Sequence, residues 1–85
     1  MPKPSVLGER ILLARRRAGM SQKRLGELVG LTAHTIGQLE RGVMRELRSE
    51  AVRKAAKALG VSTDYLLGMD LEEDELPGMA LVGVS

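Results

Sequence analysis

The sequence predicts an all-α fold, a compact bundle of five short helices. Apolar residues recur at helical spacing in five segments, and no segment alternates apolar and polar residues as a half-buried strand does. A serine or threonine precedes each segment and a glycine follows most of them, as expected of residues that cap helix ends. The 85 residues suffice for one domain with a modest core.

Helix 1 is predicted over residues 6–18, with Ser5 as its cap and an apolar stripe that places Leu7 and Ile11 in the core. Residues 1–5 are expected to form a flexible N-terminal arm that ends at this cap. Arg15 lies on the core side of the helix and needs a partner, since a partly buried charge must be paired. The remaining arginines of helix 1 are expected to be exposed: Arg10, Arg16 and Arg17.

The stretch 21–42 predicts two further helices joined by a tight turn at Gly30. Ser21 caps helix 2 and Thr32 caps helix 3, in which Ile36 and Leu39 point inward. The opposite face of helix 3 is small and polar, with Ala33, His34, Gly37, Gln38 and Arg41. Two such helices around a turn containing glycine form a helix-turn-helix unit, whose second helix enters the major groove of DNA.

The rest of the chain predicts a loop, two helices and a tail. A loop is expected over residues 43–48, and Ser49 is the predicted cap of helix 4 over residues 50–59. Ser62 is expected to cap helix 5, which ends at Leu67 before Gly68. The helical DNA-binding domain is thus predicted over residues 6–68, followed by a tail, residues 69–85, that is first acidic and then apolar.

Charge is distributed unevenly along the chain. Residues 1–68 carry all 13 lysines and arginines with six acids, whereas residues 69–85 carry five acids and no basic residue. A basic domain is typical of nucleic-acid binding, and the acidic tail is either a solubilising segment or one that contacts a basic surface. Tyr65 is the only aromatic residue, so recognition by base stacking on single strands has little support. Duplex DNA is therefore the expected nucleic acid.

Enzyme, metal and cofactor sites are not expected. The chain has no cysteine, and its only histidine, His34, has no carboxylate cluster near it in the sequence. Neither a catalytic triad pattern nor a phosphate-cradling glycine loop occurs. No apolar run is long enough to cross a bilayer, so we expect a cytoplasmic protein without a membrane partner.

The chain resembles the Cro and phage-repressor type of helix-turn-helix regulators, also called the xenobiotic-response-element family. Residues 7–68 carry the resemblance, above all Ser21-Gln22, Val29-Gly30, Leu39-Glu40-Arg41-Gly42 and Ala58-Leu59-Gly60-Val61-Ser62. Three features depart from the family pattern: Gly26 replaces alanine, Arg24 replaces an acidic residue, and the loop after Gly42 lacks Asn-Pro. The resemblance implies a lambda-repressor-like fold and Glu40 as the partner of Arg15. It also implies a dimer interface in the helix 4 to helix 5 region, around Val61, Thr63, Tyr65 and Leu66, with a place in the core as the alternative for Leu66 and Tyr65.

Two sets of DNA contacts are predicted. Contacts to base edges are assigned to residues on the outer face of helix 3, namely Ala33, His34, Gly37 and Gln38. At Gly37 the glycine is either merely tolerated or needed for close approach of the helix to the groove floor. Contacts to DNA phosphates are assigned to the first turn of helix 2 and to residues at and beyond the end of helix 3. For the arginines at and beyond the end of helix 3, the alternative is an ordinary solvated surface charge. These phosphate candidates are Gln22, Lys23, Arg24, Arg41 and Arg45.

The function predicted is a sequence-specific transcriptional regulator, a repressor that binds a palindromic operator as a homodimer. One alternative is the antitoxin of a toxin–antitoxin pair, in which residues 69–85 would bind a protein partner. Another is an adaptor module that does not bind DNA. A third possibility is that the chain is the N-terminal part of a longer repressor. The apolar residues 76–84 are a second candidate for the dimer contact.

Overall fold

The computed structural model describes residues 4–71, and over this range the chain forms five helices and no strand. The all-α prediction is confirmed. None of the helices in this range has the length and apolarity needed to cross a membrane. The helices are α1 (Val6–Arg17), α2 (Gln22–Val29), α3 (Ala33–Glu40), α4 (Ser49–Leu59) and α5 (Thr63–Leu67).

Side-chain caps begin four of the five helices at the predicted residues. In each case the hydroxyl oxygen accepts a hydrogen bond from the backbone N–H three residues later, which satisfies a group that lacks a partner within the helix. The four caps are Ser5, Ser21, Thr32 and Ser62. The predicted cap Ser49 is wrong: it is the first residue of α4, and Arg48 is the N-cap, without a side-chain hydrogen bond. The glycine ends are confirmed, since Gly30, Gly60 and Gly68 adopt positive φ angles.

The core lies where α2 and α3 meet α1, α4 and α5. Its largest fully buried side chains come from four helices: Ile11, Leu25, Ile36, Leu39 and Leu66. α2 packs against α3 and α4, while α1 crosses α3 and α5. Of the two roles predicted for Leu66, the dimer surface is wrong and the core is correct, because this side chain is 0% exposed within its own domain. The neighbouring Leu67 is the residue of this pair that faces outward, 49% exposed.

Gly26 allows the α2–α3 turn to pack closely on α2. A Cβ atom at this position would lie 2.5 Å from the backbone oxygen of Leu31 and 3.2 Å from the carbonyl carbon of Thr32. Alanine, the residue usual in the family, does not fit there unless the backbone shifts. The glycine is thus required by the path of this turn, whereas the sequence alone marked it only as a departure from the pattern.

Both ends of the described chain are held by side chains. Ser5 is 7% exposed and caps α1, so its assignment to a flexible arm is wrong. Asp70, placed in the tail by the sequence, accepts a hydrogen bond of 2.6 Å from Arg10 Nη1. Arg10 is in turn 15% exposed, which corrects the expectation that it is a free surface charge. The rest of the tail, residues 72–85, lies outside the described residues.

Candidate nucleic-acid interface

The outer face of α3 has the polar character that the sequence predicted. His34 is exposed, and Ala33 and Gln38 are half-buried on the same side of the helix. The opposite side is anchored by Ile36 and Leu39, which are 1% and 0% exposed. Because this helix is only eight residues long, its orientation depends on the core and on its cap, not on its own helical stability. α3 therefore holds its polar side chains in a fixed direction.

A network of charged and amide groups joins α1, α2 and α3. Arg15 donates from Nε to Glu40 Oε2 at 2.6 Å and from Nη2 to Glu40 Oε1 at 3.0 Å, the paired geometry typical of a strong arginine–carboxylate contact. Arg15 Nη1 also donates to the carbonyl of Met20 at 2.9 Å. The hydrogen bond to Glu40 raises the pKa of Arg15 above its ordinary value, against the opposing effect of burial. The structure thus brings together the two residues of the predicted ion pair.

Gln22 belongs to the same network, which the sequence did not indicate. Its Nε2 donates to Glu40 Oε1 at 2.9 Å, so one N–H of the amide is used within the protein. The Glu40 side chain is 5% exposed and accepts three hydrogen bonds from two other helices. A buried carboxylate needs such partners to offset the loss of water. Glu40 therefore fixes the end of α3 relative to the first residue of α2.

Gly37 is buried beneath two polar side chains on the outer face of α3. A Cβ atom at this position would lie 2.9 Å from Arg41 Nη1 and 3.5 Å from Gln22 Nε2. The missing side chain thus creates a recess, here called the Gly37 recess, into which Arg41 folds back along its own helix. The sequence placed Gly37 and Arg41 on one face but gave no indication that Gln22 completes it.

The remaining phosphate candidates lie at two places. Lys23 and Arg24 are exposed in the first turn of α2, and Arg24 also contacts Glu27 through a weak surface ion pair of 3.5 Å. Arg45 lies in the loop after α3, where its Nη2 donates to the carbonyl of Pro4 at 3.2 Å. Arg45 therefore contacts the residue before the α1 cap. Lys23 and Arg24 lie next to the backbone N–H groups at the start of α2, which have no partner within the helix.

With Leu66 in the core, the remaining residues predicted to form the dimer interface lie on or near α5. Val61 and Thr63 are half-buried, and Val61 packs against the core. Tyr65 is covered by Arg10, whose guanidinium carbon lies 4.3 Å from the ring centroid and whose Nη1 donates to the Tyr65 carbonyl at 2.8 Å. Arg10 thus covers one face of Tyr65, while Val61, Thr63 and Tyr65 are all half-buried.

Comparison with known proteins places the chain in a family. A helix-turn-helix family model matches residues 11–66. The chain belongs to the helix-turn-helix family. This helix-turn-helix chain is 36% identical over 64 residues to the HTH-type transcriptional regulator ImmR of Bacillus subtilis, covering 75% of this chain and 50% of that protein. It is 38% identical over 68 residues to repressor protein C2 of Salmonella phage P22, covering 80% of this chain and 31% of the repressor.

Solved structures of the family superpose on the same part of this helix-turn-helix chain. The P22 c2 repressor in complex with a synthetic operator matches with a TM-score of 0.67 at 39% identity, over 72% of this chain and 91% of that one. SinR, a master regulator of biofilm formation, in complex with DNA also matches with a TM-score of 0.67, at 28% identity, over 72% of this chain and 97% of that one. The resemblance drawn from the sequence is confirmed. The chain spans about a third to a half of the length of the curated relatives it matches.

Proposed function

We propose that this chain is a transcriptional regulator that binds double-stranded DNA in a sequence-specific manner, and that it represses by occupying a palindromic operator as a homodimer. The observation that carries the proposal is the polar outer face of α3, held rigid by Ile36, Leu39 and the Glu40 network beside the basic first turn of α2. The relative named as a repressor and the two solved complexes with DNA support it.

Base readout is assigned to three side chains of α3. Gln38 is the main candidate, since its amide matches the donor and acceptor of adenine in the major groove. His34, one turn earlier, hydrogen-bonds to a base edge or a phosphate, and Ala33 packs against a thymine methyl group. The backbone carbonyl of Gln38 accepts from the backbone N–H groups of Val43 and Met44 at 2.9 and 3.0 Å, so its main chain anchors the loop that follows α3.

Phosphate contacts supply the affinity that does not depend on sequence. Lys23 and Arg24 flank the start of α2, where free backbone N–H groups and the helix dipole favour an anion. Arg41 and Arg45 extend the basic surface beyond α3. Each phosphate neutralised by the protein lowers the slope of log affinity against log salt by about 0.9 on B-DNA. Binding is therefore expected to weaken steeply as salt rises.

A homodimer is proposed because one such domain contacts too few base pairs for strong selectivity. Two copies related by a two-fold axis would place their α3 helices about 34 Å apart, one turn of DNA, on the same side of the duplex. Val61, Thr63 and Tyr65 are the proposed contact residues, since each is half-buried at or near α5.

Selection of binding sites from randomised duplex DNA, at two salt concentrations, tests the proposal. A palindrome with half-sites one helical turn apart is the expected outcome. A motif without two-fold symmetry would support sequence-specific DNA binding but contradict the proposed homodimer. Binding without any motif would contradict sequence-specific regulation. Selection repeated with Glu72, Glu73, Asp74 and Glu75 replaced by their amides tests whether the tail acts in DNA binding. An unchanged motif is what a tail that binds a protein, as in an antitoxin, predicts.

A further inference from the structure

We propose that the apolar end of the chain, residues 76–84, binds in a groove of its own domain and thereby opposes the homodimer. The groove, here called the Leu67 groove, is lined by Val6, Leu47, Thr63 and Leu67, from α1, the loop before α4, and α5. The docking stands on the structure of a single domain, whereas its effect on the homodimer rests on the proposed function. Three observations support the docking: the apolar lining, the position of the last described residues, and the charges at the rim.

The Leu67 groove has two adjoining parts. The first has a volume of about 370 Å³ and the second about 240 Å³, and Leu47 and Leu67 line both of them. A void of about 150 Å³ holds a benzene ring, so each part has room for at least one apolar side chain. Leu67 is 49% exposed, and its apolar surface would leave water if the groove were filled. The groove therefore suits a short apolar segment that lies along both parts.

The last described residues lie close to the Leu67 groove. α5 ends at Leu67, only four residues before Leu71, where the described range ends. Asp70 is held by Arg10, and Arg10 lies one turn along α1 from Val6, which lines the groove. Five residues of extended chain span up to about 17 Å, whereas one turn of α1 rises about 5.4 Å. The apolar segment can thus reach the groove while Asp70 keeps its contact.

Charge at the rim of the Leu67 groove favours the acidic stretch that precedes the apolar segment. Residues 72–75 are all acidic. Among the residues that line the groove, Arg45 and Arg53 are exposed and basic, and Glu46 is the one acid. Arg53 forms no ion pair with an acid of residues 4–71, so its charge is available to the tail. The order of the tail, acidic and then apolar, therefore matches a basic rim around an apolar groove.

The occupant is the tail of the same chain because that tail is attached next to the groove. A segment joined by a short linker has an effective concentration of about millimolar at its binding site. The tail of a second molecule competes only when the protein itself is that concentrated. The segment also has the chemistry that the groove requires, since it contains five large apolar residues and no charge: Leu76, Met79, Leu81, Val82 and Val84.

Docking of the tail and formation of the homodimer use the same surface. Thr63 lines the Leu67 groove and is also a proposed contact of the homodimer. Both copies must therefore release their tails before they pair. If about two-thirds of the tails are docked, the apparent dissociation constant of the homodimer rises about tenfold, because only the undocked fraction of each copy is competent. The tail thus lowers occupancy of the operator at low protein concentration.

A spin label at the end of the tail tests the docking in the full chain without DNA. The chain has no cysteine, so Ser85→Cys provides a single attachment point for a nitroxide. Broadening of backbone amide NMR signals should be strongest at Leu47 and Leu67, and weak at Lys23 in α2, which does not line the groove. A mixture of spin-labelled chain with isotope-enriched chain that carries no label detects only tails from another molecule, and it should show no such broadening.

Two substitutions in the domain check which residues hold the tail. Leu67→Glu removes apolar surface and repels the acidic stretch, so the broadening at Leu47 should fall at least about tenfold. Leu13→Glu is the matched control, because Leu13 is 51% exposed on α1 and does not line the groove. Arg53→Gln should lower the ratio of docked to undocked tail about two- to threefold, and less at high salt.

Sedimentation equilibrium of the full chain tests the effect on the homodimer. Leu81→Asp changes only the tail and should release it, so the homodimer should become about tenfold tighter. Ser85→Asp adds the same charge beyond the apolar segment and, as the matched control, should leave the dissociation constant unchanged.

The docking would be overturned by broadening centred on Leu13, by broadening spread evenly over the domain, or by equal broadening in the mixed sample, which would mean exchange of tails between copies. An unchanged dissociation constant for Leu81→Asp would overturn the competition with the homodimer. Each of these results leaves the proposed function in place if the wild-type chain still selects a palindrome. A chain that forms no homodimer would contradict that part of the proposed function, while the spin-label measurement would still decide the docking.

Discussion

Replacement of Glu40 by alanine is expected to destabilise the domain by about 3 kcal/mol. Removal of one partner of a buried ion pair costs about 3–5 kcal/mol, because the remaining charge keeps its desolvation cost without its partner. The Arg15 side chain is 13% exposed and retains its hydrogen bond to the Met20 carbonyl, which places the cost near the lower limit. The free energy of unfolding of a domain of this size is about 3–10 kcal/mol, so this single ion pair accounts for a large part of its stability.

The assay is thermal and urea unfolding followed by circular dichroism. A loss of about 3 kcal/mol corresponds to a melting temperature lower by roughly 12–24 °C. Glu50→Ala is the matched control: it removes an exposed glutamate whose ion pair with Lys54 spans 3.3 Å, and it should cost about 0.5 kcal/mol. The double replacement Arg15→Met with Glu40→Met should recover much of the loss, since no unpaired charge remains. Equal effects of Glu40→Ala and Glu50→Ala would refute the structural role of the network.

Two further predictions concern the core and the end of the domain. Leu66→Ala should cost about 2–5 kcal/mol in unfolding measurements, against less than about 1 kcal/mol for Leu67→Ala, and similar values for both would contradict the burial of Leu66. The hydrogen bond from Arg10 lowers the pKa of Asp70 below its ordinary value of 3.8. Asp70 therefore adds stability above that value, which is lost as pH falls through the lowered pKa. Asp70→Asn should lower the melting temperature at neutral pH but not in strong acid, and a difference independent of pH would contradict the contact.

Local chemistry explains which features could be predicted from the sequence. A capping hydroxyl bonds to an N–H three residues away, so Ser21 and Thr32 reveal helix starts without knowledge of the fold. The inward face of α3 follows from helical spacing in the same way. Ser49 was misassigned because a serine also fits the first turn of a helix, and only the backbone angles of Arg48 place the boundary one residue earlier.

Features that depend on distant parts of the chain could not be predicted from periodicity. Arg10 pairs with Asp70 across 60 residues, and the helical pattern of α1 gives no indication of that partner. The link between Gln22 and Glu40 likewise exists only once α2 and α3 pack together. Leu66 and Leu67 are adjacent apolar residues, and the sequence does not determine which of the two enters the core. The Arg15 pair was expected from the resemblance to a family, since its own position indicated only that a partner was needed.

The most direct test of the central proposal, that α3 reads the sequence of DNA, compares Gln38→Ala with the wild-type chain on the selected duplex and on a scrambled duplex. The variant should lose about 1–3 kcal/mol of binding free energy on the selected duplex, lose little on the scrambled one, and accept other base pairs at one position. Lys23→Ala, as the control, should weaken binding to both duplexes alike and reduce the salt slope by about one. Equal losses for Gln38→Ala on the two duplexes would contradict base readout by α3.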